Sequence, residues 1–214
     1  MSTTAKPRID EPKGAASIRI VLASASPARR ATLRSAGICP EIVASGVDES
    51  AFDQTEPVEL AQALAVAKAE TVAELSLAEG AVVIGCDSVL DLDGRALGKP
   101  QDAEEAVERW RSMRGRAGTL VTGHCVVDTR SGRQAAAVAR TRVTFADLTD
   151  DEIDAYVATG EPLDVAGART LDGLGGAFVT AIEGDPHNVV GISLPLLRTM
   201  LAGLNVAWID LWSQ

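Results

Sequence analysis

The chain has 214 residues, 46% hydrophobic and only 3% aromatic, which excludes a disordered polypeptide and suits one substantial α/β core. Its formal charge of −10 excludes the broad basic stripe of a general nucleic-acid binder. No run of about 18 apolar residues offers a membrane span, and Cys39, Cys86 and Cys125 lack the spacing of a disulfide framework or a zinc site, so a reducing cytoplasm is the expected compartment.

Residues 1–17 lack the apolar centre of a signal peptide and are expected to form a flexible tail before a single domain over 18–214. Ile18 to Ala23 reads as a buried strand. Ser26 then serves as N-cap, Pro27 opens a helix, and Gly37 stops it. A helix start with Arg29 and Arg30 in its first turn suits an anionic guest, although an ordinary turn with solvated arginines has the same pattern. Glu41 to Ala44 reads as a short strand, followed by the acidic loop Gly46 to Glu49. A helix from about Thr55 to Leu75 places Leu60, Leu64 and Val72 on one stripe, with Lys68 in line. That lysine either snorkels outward or points into a polar cleft.

Ala81 to Cys86 is an apolar strand ending on Asp87 and Ser88, a rigid place for a catalytic carboxylate. Val89 to Leu92, Asp93-Gly94 and Arg95 to Leu97 form a hairpin. After Gly98-Lys99-Pro100, Asp102 and Glu105 make a capping-box-like start for a helix ending at Gly115. Thr119 to Asp128 and Gln134 to Ala146 are two long strands, and Thr149 with Glu152 opens a helix that stops at Gly160. A glycine-rich loop runs to Gly176, Ala177 to Glu183 is a strand, Leu194 to Leu201 a helix, and Asn205 to Leu211 a final strand. Helices alternating with parallel-type runs and hairpins point to a mixed α/β sheet.

Gly94 to Lys99 is too short for a Walker A loop and has Pro100 where Ser or Thr would bind magnesium. There is no G-x-G-x-x-G after a strand and no G-x-S-x-G elbow. His124 and His187 make no H-E-x-x-H pattern and read as structural or solvent-facing. What remains is one coherent set. Ser24, Ser26, Arg29, Lys68 and Lys99 could hold phosphates, while Glu49 and Asp87 could hold a divalent metal or activate water for hydrolysis of a phosphoanhydride.

Several separated segments, in order, resemble the Maf family of nucleoside triphosphate pyrophosphatases from Ile20 to about Leu201. They are Leu22 to Arg29, Asp48-Glu49, Ala67-Lys68-Ala69, Asp87-Ser88, Gly98-Lys99-Pro100, Thr122-Gly123, Tyr156 with Gly160-Glu161, Asp164 with Ala166-Gly167, Gly173 with Gly175, and Val190-Gly191 before Leu194-Pro195. Trp110 to Gly118 and Gly191 to Leu197 are similar to actinobacterial members. The resemblance implies an elongated mixed β-sheet with two lobes around a central cleft, as in inosine triphosphate pyrophosphatases. It also implies a homodimer and cleavage of ordinary or modified nucleoside triphosphates between the α and β phosphates. Asp87 takes the proton-acceptor position. The candidate set is then Asp87, Lys68 and Lys99 for catalysis, Ser24, Ser26, Arg29, Arg30, Ser88 and Asp172 for substrate, and Glu49 with Asp87 for a divalent cation, Mg2+, Mn2+ or Co2+. Ser88 and Asp172 stand where members that prefer dTTP and UTP carry Thr and Gln. A carboxylate cannot donate to a base carbonyl as an amide does, which leaves the preferred base open. Ala28 and Gly118 replace a common Arg and His, and Arg30 is the candidate substitute for the first. The family's link to septum formation leaves a nucleotide-binding regulator of cell division as the alternative function.

Overall fold

The apolar run that begins before the acidic pair does not stop there. In the computed structural model, which describes residues 18–52, 56–165, 167 and 170–212, a single strand β3 covers Val82–Leu92. The tail expected over residues 1–17 lies outside these residues. Asp87 and Ser88 therefore sit mid-strand and not at a strand end, because β5 (Ala117–Asp128) runs antiparallel alongside and pairs Asp87 with Gly123 and Ser88 with Thr122. Strand β1 (Ile20–Leu22) lies parallel to β3, and β2 (Glu41–Ile42) lies parallel to β1. The hairpin partner β4 (Arg95–Leu97), then β6 (Arg133–Phe145) and β7 (Val179–Glu183), complete a seven-stranded mixed sheet in the order β2-β1-β3-β5-β6-β7, with β4 on β3. The Asp93-Gly94 turn takes positive φ at both residues, 54° and 81°, as a tight hairpin turn demands.

Among the described residues six helices flank the sheet: α1 (Pro27–Ser35), α2 (Pro57–Ala73), α3 (Ala103–Met113), α4 (Asp150–Ala158), α5 (Pro186–Val190) and α6 (Leu194–Gly203). Ser26 caps α1, and Thr149 with Glu152 forms a full capping box on α4. The capping box expected on α3 is only half made. Asp102 accepts from the Glu105 amide, but the Glu105 carboxylate reaches back one residue further, to Gln101.

Alternation along β3 sends odd and even residues to opposite faces. On the odd face α2 lies directly on the sheet. A Cβ at Gly85 would come within 2.4 Å of the Ala65 carbonyl oxygen, and one at Gly123 within 2.1 Å of that of Ala61. The even face carries two apolar cores at opposite ends of β3. One joins Leu22, Ile84 and Cys86 to Leu33 of α1 and Leu197 and Leu201 of α6; the other joins Leu90 and Leu92 to Trp110, Phe145 and Tyr156. These two cores give the two expected lobes a physical basis.

The final segment is a correction: Trp208–Leu211 is a short 3-10 helix, not a strand. The outer edge of β1 is already taken by β2, and Asn205 at φ 63° turns the chain so that Val206, Trp208 and Leu211 close the first core. Helix α5 is an addition, signalled only by Asp185 as N-cap before Pro186. Cys39 is exposed despite its apolar sequence neighbours, while Cys86 and Cys125 are buried, their thiols pushed up to about 12 by burial.

Candidate active site

The edge of β3 that faces β1 is paired only at its ends. β1 covers Val82 to Ile84, β4 covers Leu90 to Leu92, and Gly85 to Val89 between them has no strand partner on that side among the described residues. Both flanking strands stop where this opening begins. The chain leaving β1 supplies Ser24, Ser26 and Arg29, and the chain leaving β4 supplies Gly98 and Lys99. A strand edge left open between two receding neighbours is where α/β sheets place ligands.

On the α2 face of the opening, Asp87 projects toward Lys68. The Lys68 Nζ donates to Asp87 Oδ1 at 2.5 Å and to Glu49 Oε1 at 2.6 Å. The side chains of Lys68 and Asp87 are only 10% and 11% exposed, whereas Glu49 is 59% exposed. Lys68 thus does not snorkel; its backbone sits on the buried stripe of α2 and its ammonium turns into the polar gap. Burial pushes the Asp87 carboxyl above its usual range, against the opposing pull of Lys68 and Arg29. Glu49 is placed by Asp48, which caps the 3-10 turn Glu49–Ala51 and accepts from the Ser50 amide and hydroxyl.

On the opposite face Arg29 reaches across from α1. Its Nε donates to the Gly191 carbonyl at 2.8 Å, one terminal nitrogen to Ser24 Oγ at 3.2 Å, and the other to Ser88 Oγ at 3.0 Å. Ser88 Oγ in turn lies 2.9 Å from Thr122 Oγ1. Three of the five guanidinium hydrogens are thus engaged, and two remain among the described residues. Behind this array His124 is fully buried. Its Nδ1 donates to the Thr122 carbonyl and its Nε2 accepts from the Ser193 amide, which fixes the neutral tautomer. Burial lowers its pKa to about 4.

The start of α1 is less of an anion cradle than its sequence suggests. Ser26 Oγ accepts from the Arg29 amide, the Ser26 amide donates to Ser24 Oγ, the Arg30 amide returns to the Ser26 carbonyl, and Pro27 has no N–H. Within that turn Ala28 alone keeps an amide for which the described residues supply no bond. Ser26 therefore spends its hydroxyl on capping.

Asp87, Lys68 and Glu49 are brought into one cluster, and Arg29, Ser24 and Ser88 into another. Arg30, Lys99 and Asp172 are exposed, and none of them contacts either cluster through a hydrogen bond or ion pair among the described residues. Asp172 belongs to a loop held by Glu161, whose carboxylate accepts from Tyr156 Oη at 3.1 Å, from the Leu174 and Gly175 amides at 3.0 and 2.9 Å, and from the Thr170 hydroxyl. Burial opposes ionisation of Glu161, but these donors outweigh it and bring the carboxyl down to about 2. Thr122, Gly191 and Glu161 are contributors that the sequence marks only as parts of motifs, with no role attached. Pairing across β5 and loop closure, which assign those roles, leave no local pattern.

The sequence profile of the family described as Maf-like protein matches residues 19–204. A protein of Streptomyces coelicolor named nucleoside triphosphate pyrophosphatase is 62% identical over 195 residues, covering 91% of this chain and 95% of that protein. Proteins of the same name from Cutibacterium acnes and a Synechococcus strain are 56% and 54% identical, covering 90% and 91% of this chain and 94% and 98% of their own lengths.

Proposed function

The chain belongs to the Maf-like protein family, and on that premise we propose that the opening in the edge of β3 is where it hydrolyses a nucleoside triphosphate between the α and β phosphates. It is a nucleoside triphosphate pyrophosphatase, as its relatives at 50–62% identity are named. The observation that carries the assignment to this site is the Lys68 ammonium held between Asp87 and Glu49 on a rigid, half-closed strand edge.

Asp87 Oδ takes the proton of the attacking water as its oxygen bonds to phosphorus, and the bridging oxygen leaves with the electron pair on pyrophosphate. Burial makes this carboxylate a better base, and its backbone, paired along β5, cannot drift. Lys68, and Lys99 from the opposite end of the opening, neutralise charge on the phosphates. Arg29, Ser24 and Ser88 orient the rest of the nucleotide on the other face. Ser26 contributes through Ser24 and Arg29, and Arg30 and Asp172 are further substrate contacts, Arg30 on the strength of its local pattern and the family resemblance, Asp172 on that of the resemblance alone.

A divalent cation, Mg2+, Mn2+ or Co2+, fits the donor chemistry here. Glu49 and Asp87 are oxygen ligands, and one or two carboxylates with substrate phosphates suffice for magnesium. Among the described residues no group of three or more His, Cys, Asp or Glu forms an all-protein cage, so the fit is to an ion that arrives with nucleotide. When bound, it would supply positive charge to the phosphate oxygens.

We further propose a homodimer, supported by the family resemblance, working in the cytoplasm, as the spacing of Cys39, Cys86 and Cys125 suggests; light scattering near twice 22.3 kDa is the expected result. No helix among the described residues is long and apolar enough to cross a membrane. A nucleotide panel assayed with Mg2+, Mn2+ and Co2+ for pyrophosphate against orthophosphate tests the reaction. Pyrophosphate release is expected; tight binding without turnover would instead mark a regulator, and orthophosphate a phosphatase.

A further inference from the structure

Lys99 is exposed and lies outside both clusters, yet the backbone on either side of it is tightly held. One ion pair does this. Arg109 and Glu105 occupy successive turns of α3, and the Arg109 Nε and one terminal nitrogen donate to Glu105 Oε1 at 3.1 and 2.5 Å. Each partner has one end left over. The other terminal nitrogen of Arg109 donates to the Gly98 carbonyl at 2.5 Å, and Glu105 Oε2 accepts from the Gln101 amide at 2.7 Å. Gly98 and Gln101 are the residues immediately before and after Lys99-Pro100. The Gly98 carbonyl accepts a second bond from the Gly167 amide at 3.0 Å, tying the same point to the glycine-rich loop. Arg109 is a guanidinium only 12% exposed, and exposed i,i+4 pairs on helices need no such burial. Glu105 is held below the usual carboxylate range, first by the Gln101 amide and then by Arg109.

We propose that the Arg109–Glu105 pair is a positioning device that presents Lys99 to the phosphates of a nucleoside triphosphate. The inference rests on the reading of Lys99 as part of the substrate site. Arg109 touches no reacting atom; it acts by fixing both ends of the short loop from which Lys99 extends. A guanidinium is suited to this because its planar fork meets the carboxylate through two nitrogens and the carbonyl through a third, a spread of donors that a single ammonium nitrogen does not reproduce.

The test is a double-mutant cycle on the intact chain with a nucleoside triphosphate and Mg2+. Lys99→Ala is expected to lower kcat/KM at least about tenfold, and Arg109→Met about fivefold or more, with a thermal midpoint close to wild type. In the Lys99→Ala background Arg109→Met is expected to cost less than about twofold, because the group it positions is gone. Arg109→Lys should recover part of the loss. If Arg109→Met fails to fold, Glu105→Gln at the half-exposed end of the pair takes its place in the same cycle. Equal losses in both backgrounds, or wild-type kcat/KM in the substituted pair, overturn the proposal. Wild-type kcat/KM in Lys99→Ala overturns the underlying reading of Lys99 instead, and the inference falls with it.

Discussion

The two faces of β3 at its open edge are built from different materials. On the α2 face every polar partner is ionic, with two carboxylates against one ammonium, and the most buried bond is the 2.5 Å contact of Lys68 with Asp87. On the α1 face the single charge of Arg29 meets only neutral acceptors, the Ser24 and Ser88 hydroxyls and the Gly191 carbonyl. The first arrangement holds charges in readiness beside a base that owes its strength to burial. The second holds a planar fork in register and leaves two donors for a guest. Proposed chemistry and proposed recognition are thereby separated by the thickness of one strand, and each can be broken alone.

The largest expected effect comes from the ionic face. Asp87→Asn keeps the size of the side chain but removes the proton acceptor, and turnover is expected to fall at least about a hundredfold in a pyrophosphate-release assay. Next comes the contact that sets Lys68 against Asp87. Gly85→Ala drives a methyl group into the Ala65 carbonyl, so α2 must lift. A stability loss of about 1–3 kcal/mol in urea titration is expected, together with a fall in turnover of about tenfold as Lys68 withdraws. The neutral face responds differently. Arg29→Lys loses the fork that serves Ser24, Ser88 and Gly191 together, and KM is expected to rise about tenfold with kcat changed less than about threefold.

The smallest effect separates the faces by pH. His124 backs the neutral face through the Thr122 carbonyl, and its folded pKa of about 4 lies below its ordinary 6.5. Between these values the unfolded chain binds the extra proton, so stability falls as pH drops from 6.5 to about 4, and this group adds no further slope below that. Urea midpoints measured across that window should slope in the wild type and flatten in His124→Asn.

Much of this division is visible in the sequence, unevenly. Ser26 before Pro27, the Asp93-Gly94 turn and Thr149 with Glu152 are local patterns whose physics is complete within a few residues, and each folds as its pattern dictates. Asp87, Lys68 and Glu49 are recognisable as a set because phosphate chemistry needs those residue types, although their meeting depends on α2 seating against Gly85 and Gly123. The failures share a cause. The strand expected to end at Asp87 continues because a partner remote in sequence, β5, satisfies its backbone, and the segment expected as a strand over Asn205 to Leu211 coils against the first core, the outer edge of β1 being taken by β2. The anion-binding helix start is likewise altered by Ser24 and Ser26, which satisfy the amides locally. Asp172 is drawn into the site only by resemblance, and Lys99 and Arg30 by residue type and local pattern; among the described residues no hydrogen bond or ion pair joins any of the three to either cluster.

The separation of chemistry from recognition across β3 is tested most directly by measuring nucleotide affinity and single-turnover pyrophosphate release in Asp87→Asn and Arg29→Lys side by side. Asp87→Asn should bind nucleotide within about threefold of wild type while releasing pyrophosphate at least about a hundredfold more slowly, and Arg29→Lys should show the reverse, weak binding with near-normal release once saturated. Wild-type release from Asp87→Asn, or the same proportional loss of binding and release in both variants, would contradict it.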